Sequence, residues 1–190
     1  AYIFSASVHQ GQVRLSGEPY LTHPVEVAGI LADMKLDAAT IISGFLHDTV
    51  EDTLTTIEQV RECFGKDVAF LVEGLTKISK ITFGTQEERQ AENFRKMMLA
   101  MSSDIRILLV RLADRIHNMR TLSFQPPNRQ QYIAKETIEL YAPLASRLGI
   151  NWMKVELQDL AFRYLNPDAY NSLALRVAQS KEKRDQYTEE

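Results

Sequence analysis

The sequence predicts an all-α protein, and three observations carry that expectation. Apolar residues recur at helical spacing in one segment after another. Gly, Pro and Asn fall between those segments, where they stop or start helices. No series of strand-like runs and no internal repeat appears. A bundle-like domain of roughly eight to ten helices is the expected architecture.

Each element has its own signal. Residues 1–13 read as a broken helix that runs into a loop at Gly11, and Gly17-Glu18-Pro19 is a turn signal. Thr22 is placed to cap the next helix with Pro24 in its first turn, and Val25, Ala28, Ile30, Leu31 and Met34 supply its apolar pattern. Asp37 is expected to cap a third helix that leads through Ile41 and Leu46. Thr55 and Glu58 have capping-box spacing for a short helix that Gly65 ends, and Asp67 to Ile78 reads as another, with Val68, Leu71, Val72 and Leu75 on one side. A polar break at Thr82–Thr85 precedes a long helix from Gln86 to Met101, and Ser102-Ser103-Asp104 interrupts it. The run Ile105–Val110 has the composition of a buried strand. Its apolar pattern continues through Leu112, Ile116 and Met119, so helix is the expectation. Pro126-Pro127 marks a loop, and Asn128–Arg147 is a helix with a kink at Pro143 and a stop at Gly149. Residues 151–165 and 168–187 give two more helices, separated by Asn166-Pro167.

Composition bounds the function. A chain of 190 residues with 45% hydrophobic and 25% charged content is that of an ordinary soluble globular protein, long enough for one sizeable core or two small ones. A net charge of -3 gives no global pull towards nucleic acid or anionic membrane, so an anionic substrate must meet a local basic patch or a metal. No apolar run is long enough to span a bilayer, and no signal peptide is evident. Cys63 is the single cysteine, which excludes an internal disulfide and a thiolate zinc cage. A cytoplasmic setting is the expectation. The start at Ala1 and the stop inside KEKRDQYTEE suggest a piece of a longer protein.

One stretch organises the chain: FLHDTVEDT, Phe45 to Thr53. It gathers His47, Asp48, Glu51 and Asp52 directly after an apolar run. On a helix, His47 and Glu51 would share a face, as would Asp48 and Asp52. Carboxylates at the end of a buried helix repel one another and lose hydration, and a divalent cation is the natural offset. Two further segments offer ligands: His23 at a helix start, and Asp114 in the otherwise apolar LADRIHNMR helix. Two His and two Asp make a mixed nitrogen and oxygen set suited to Mn²⁺, Fe²⁺ or Zn²⁺, with positions left for water and a substrate oxygen. Each residue alone has an ordinary reading. His23 could be satisfied by backbone, and Asp114 could pair with Arg111 or Arg115.

Together the residues point further. SGEPYLTHPVEVAGILADMKLD, FLHDTVEDT, FGKDV, LADRIHNMRTL and ETIELYAPLASRLGI resemble successive blocks of the RelA/SpoT family, within the HD-domain phosphohydrolases. The resemblance runs from about His9 to Tyr170. It implies the HD fold and, over residues 1–190, a single hydrolase domain whose helices from about 150 onwards lead towards a downstream synthetase domain. It implies Mn²⁺ held by His23, His47, Asp48 and Asp114, with Glu51 and Asp52 jointly activating the attacking water. The implied reaction removes the 3′-pyrophosphate of ppGpp or pppGpp to give GDP or GTP. Arg14 and Ser16 would hold the guanine side, Asn118 the ribose-phosphate region, and Thr121 would assist. The implied partners are the guanine nucleotide and the synthetase and regulatory domains of the parent chain, with neither membrane nor nucleic acid. Leu15 and the loop Ser123–Asn128 depart from the more basic family pattern. His117 is read as structural and His9 as a support behind the site. Two other readings are an HD phosphohydrolase for different nucleotides, and a catalytically silent domain that binds nucleotide or partner domains.

Overall fold

The computed structural model describes residues 1–79 and 104–189, with side chains described as far as 77 and from 104 to 179. The expected break at Thr82–Thr85 and the helix Gln86–Met101 lie outside the described residues. The described chain is helical, with no strand, as the periodicity predicts; one isolated bridge joins Val13 to Pro19. It divides into two compact units, Ala1–Phe124 and Gln125–Glu190.

The first unit contains α1 (Tyr2–Val8), α2 (Thr22–Asp33), α3 (Ala38–Leu46), α4 (Thr49–Asp52), α5 (Ile57–Ser79), α6 (Ile105–Arg120) and a 3₁₀ turn, Leu122–Phe124. α6 is its centre and packs on α2, α3 and α5. Its residues Ile107, Leu108, Val110, Leu112, Ala113, Ile116 and Met119 are all buried, so nearly its whole circumference is covered by protein. The Ile105–Val110 run is therefore helix, as expected. A smaller apolar cluster, built on Leu46, Val60, Val68, Ala69 and Val72, lies beneath the end of α3. Phe4 of α1 packs on this cluster and meets Phe64 edge-on, with ring centroids 5.3 Å apart.

Local signals explain most element boundaries. Asp37 caps α3, its carboxylate accepting from the Thr40 N–H. Gly65 has φ 88° and ψ 175°, a conformation closed to other residues, and it bends α5 between two helical runs. Two expected caps differ. Thr22 lies inside α2 and makes no cap, because the N–H groups such a cap would serve are absent or taken: Pro24 has none, and the Val25 N–H donates to the Leu21 carbonyl. The capping box sits one residue later than expected. Thr56 and Gln59 exchange bonds reciprocally, at 2.9 and 3.3 Å, because Gln59 occupies the third position of a helix starting at Ile57.

Arg106 fastens the start of α6. Its guanidinium bonds Asp104 and both carboxylate oxygens of Asp67, and lies 3.4 Å from Asp37. These contacts tie the first turn of α6 to α5 and to the cap of α3.

Gly44 sets the distance between α2 and α3. A methyl group there would lie 2.6 Å from Leu31 Cδ1 and 3.3 Å from the Ala28 backbone. Leu31 is fully buried. Gly44→Ala is expected to cost about 1–3 kcal/mol through overpacking, outweighing any gain in helix propensity. Urea titration of the two proteins checks this. A variant as stable as the parent would show that the helices separate at no cost.

The second unit holds α7 (Pro127–Glu136), a π turn (Thr137–Tyr141), α8 (Ala142–Arg147), α9 (Asn151–Leu165) and α10 (Pro167–Glu189). The kink expected at Pro143 takes the form of the π turn. Pro143 has no N–H for the carbonyl of Glu139, and the Ala142 N–H reaches back to Thr137 in a wider ring. α8 ends at Gly149 in a Schellman arrangement, with the Gly149 N–H on Ser146 and the Ile150 N–H on Ala145. α9 packs on α7, the π turn and α8.

Candidate metal centre

Three elements of the first unit carry charged or imidazole side chains to one buried point. His23 enters from the first turn of α2, His47 from the end of α3, and Asp114 from the middle of α6. One ligand atom from each lies within 4.8 Å of the others. His23 Nε2 is 3.1 Å from His47 Nε2 and 3.2 Å from Asp114 Oδ1. Asp48, the residue after His47, joins them through Oδ2, 3.0 Å from His47 Nε2 and 3.5 Å from His23 Nε2. All four candidate ligands therefore converge.

The local fold sets their orientation. His47 Nδ1 meets the Gly44 carbonyl at 2.8 Å, one turn back on α3. As the donor in that bond, Nδ1 carries a proton, and Nε2 is the atom directed at the cluster. Asp114 Oδ1 accepts from Asn118 Nδ2 at 2.6 Å, one turn along α6. Two carboxylates and two imidazoles with little access to water form an expensive group in an apolar core. Burial disfavours a charged His47, yet the neighbouring carboxylate of Asp48, helped by Asp114, raises its pKa to about 9. Burial likewise works against an ionised Asp114, and His23 and His47 overcome it, lowering its pKa to about 2. Asp48 is driven well below the usual carboxylate range by the same two imidazoles, against burial. The carboxylates are thus ionised and face nitrogen donors. That donor set fits a divalent cation of the Mn²⁺, Fe²⁺ or Zn²⁺ kind.

Glu51 and Asp52 are linked to the centre through Arg111 and Tyr20 respectively. Asp52 Oδ2 accepts from the Tyr20 hydroxyl at 2.8 Å, and that hydroxyl is equally close to Asp48 Oδ2. Burial and the two carboxylates push the Tyr20 pKa far up, so its proton stays in place. Glu51 Oε1 meets Arg111 Nη2 at 3.3 Å. Arg111 also donates to the Leu75 carbonyl at 2.6 Å and stands 3.7 Å from Asp114 Oδ2. The Asp114–Arg111 pairing foreseen as an ordinary reading is therefore present together with the cluster.

Of the residues expected to bind substrate, Arg14 reaches α6 from the turn that precedes α2. Its Nη2 lies 3.3 Å from Asn118 Oδ1 and 3.4 Å from Thr121 Oγ1, and its Nη1 lies 3.4 Å from His117 Nδ1. Three of the four candidate substrate residues thus meet. Ser16 stays in its own turn, where its hydroxyl donates to Glu18 at 3.2 Å. Leu15 is 68% exposed beside it.

Sequence reasoning passed over Tyr20 and Gln12. Tyr20 was legible as the hydroxyl three residues before His23. Gln12 gave no signal: its Nε2 reaches the Asp52 carbonyl at 3.3 Å across forty residues of chain. His9 supports the site indirectly, stacking on Tyr20 at 4.5 Å and meeting Gln12 Oε1 at 2.8 Å.

Known proteins resemble this chain in sequence and fold. Residues 1–151 match the HD domain family. The chain is 56% identical to a GTP pyrophosphokinase of Myxococcus xanthus, matching over its whole length and over 26% of that protein. It is 52% identical to a protein of Synechocystis named probable guanosine-3′,5′-bis(diphosphate) 3′-pyrophosphohydrolase, over 97% of this chain and 24% of the relative. It is 54% identical to the bifunctional (p)ppGpp synthase/hydrolase SpoT of Escherichia coli, over 90% of this chain and 24% of SpoT. The chain thus spans about a quarter of the length of these relatives. A solved structure described as a metazoan ortholog of SpoT that hydrolyses ppGpp superimposes with a TM-score of 0.61 at 25% identity, covering 87% of this chain and 93% of the other. The chain belongs to the HD domain family, and within it to the relatives of SpoT.

Proposed function

We propose that this chain hydrolyses the 3′-pyrophosphate of ppGpp and pppGpp, releasing pyrophosphate with GDP or GTP. The observation that carries the reading is the convergence of His23, His47, Asp48 and Asp114 at one buried point, in a chain half identical to proteins named for ppGpp hydrolysis. These four residues would hold the cation, with Mn²⁺ the first candidate. Its contribution when bound is Lewis-acid chemistry, drawing electron density from the water and phosphate oxygens it meets.

The chain's own residues divide the remaining work. Water adds to the phosphorus that bears the ribose 3′ oxygen, that P–O bond breaks, and the ribose recovers its 3′-hydroxyl. Asp52 or Glu51 takes the proton released by the water, and that proton, returned directly or through solvent, completes the 3′-hydroxyl of the leaving ribose. Asp52 is the first candidate for the base: it faces the Tyr20 hydroxyl that also meets Asp48, whereas Glu51 faces the Arg111 guanidinium. Arg14, Asn118 and Thr121 hold the nucleotide, with the Arg14 plane available to stack on guanine and Ser16 at its edge. Residues 1–190 act as one hydrolase domain in a cytoplasmic parent, and the helices from about 150 onwards lead towards synthetase and regulatory domains.

The test is pyrophosphate release from ppGpp by the purified chain, with added Mn²⁺, with chelator, and with Asp48→Ala. Release that needs Mn²⁺ and is lost in the variant is expected. No turnover by folded, Mn²⁺-loaded protein would leave a nucleotide-binding or regulatory domain instead.

A further inference from the structure

Beside the cluster is a second buried imidazole contact that ligation by the four residues does not use. His23 Nδ1 lies 2.7 Å from Nδ1 of His117, and both rings are buried. Two ring nitrogens at that distance share one proton: one donates and the other offers a lone pair. The opposite nitrogen of His23 decides which. Nε2 faces His47, Asp48 and Asp114, and a nitrogen that binds a cation there carries no proton. His23 in its ligating form must hold its proton on Nδ1 and donate it to His117. Arg14 enforces the same polarity from the other side, since a guanidinium only donates and its Nη1 also points at His117 Nδ1, at 3.4 Å.

We infer that His117 is a positioning residue: its Nδ1 lone pair holds His23 in the tautomer that presents a bare Nε2 to the cation, and Arg14 keeps His117 in the accepting form. The inference rests on the metal reading above and extends it to a residue outside the four ligands. Ligating histidines usually donate their second nitrogen to a carboxylate, a backbone carbonyl or water. His47 follows that habit with Gly44. For His23 the acceptor is another imidazole, which has no charge to hold the proton and depends on its own tautomer. The chain Arg14–His117–His23 therefore connects the loop proposed to meet the nucleotide with a cation ligand, through two hydrogen bonds.

The experiment compares Mn²⁺ affinity, by electron paramagnetic resonance, for the parent, His117→Phe and His117→Gln. Phe keeps a ring without a lone pair, and Gln restores an acceptor oxygen. Affinity is expected to fall about 10–100-fold in the Phe variant and to recover at least in part with Gln. The parent alone gives an independent readout in its Zn²⁺ form: ¹⁵N spectra should show the proton on His23 Nδ1 and scalar coupling across the hydrogen bond to His117 Nδ1. A parent that binds Mn²⁺ no better than these variants, or a Zn²⁺ form with the proton on His117 Nδ1, overturns the inference and leaves the metal reading standing. A parent that binds neither ion overturns both.

Discussion

Asp114→Ala is expected to remove cation binding and to lower ppGpp hydrolysis by roughly a thousandfold or more. Asp114 is the one candidate ligand on the central helix, and its carboxylate, like that of Asp48, faces both imidazoles. Without it, the positive charge drawn onto His47 keeps only Asp48 as a partner. The folded helix itself depends on the apolar residues around Asp114 rather than on its carboxylate. Circular dichroism should therefore remain helical while Mn²⁺ titration becomes flat. Undiminished Mn²⁺ affinity in the variant would remove Asp114 from the ligand set.

The second large effect separates the two acidic residues that the sequence treats as a pair. Asp52→Asn is expected to slow hydrolysis by about 10²–10⁴-fold while Mn²⁺ affinity stays within a few-fold of the parent. The smaller loss is expected from Glu51→Gln, whose carboxylate is engaged by Arg111. Steady-state rates for both variants, with Mn²⁺ affinity measured in parallel, decide between them. If Glu51→Gln proves the more damaging, the assignment of the base is reversed.

The helices were legible because each has a local cause. Asp37 caps where its side chain can reach a free N–H, Gly65 bends where φ is positive, and Pro143 widens a turn where it has no donor. Thr22 failed as a cap because Pro24 offers it no N–H and the helix, starting one residue earlier than expected, gives the Val25 N–H to the Leu21 carbonyl. His47-Asp48 stood out as a costly group at the end of an apolar run, whereas His23 and Asp114 joined it as a ligand set through the resemblance to the RelA/SpoT family. What joins Asp52 to Gln12, or His23 to His117, is a meeting of distant segments. Such pairs have no local spacing, so His117 read only as structural and Gln12 not at all.

Asn118 faces two ways. Its amide nitrogen holds a carboxylate oxygen of Asp114, and its amide oxygen accepts from Arg14. A shift of either neighbour therefore works on the other through one rigid planar group. Linkage then demands symmetry. Whatever factor the cation contributes to the affinity for a guanine nucleotide, the nucleotide must return to the cation. The effect should persist with GDP, which lacks the 3′ phosphates that could touch the ion directly.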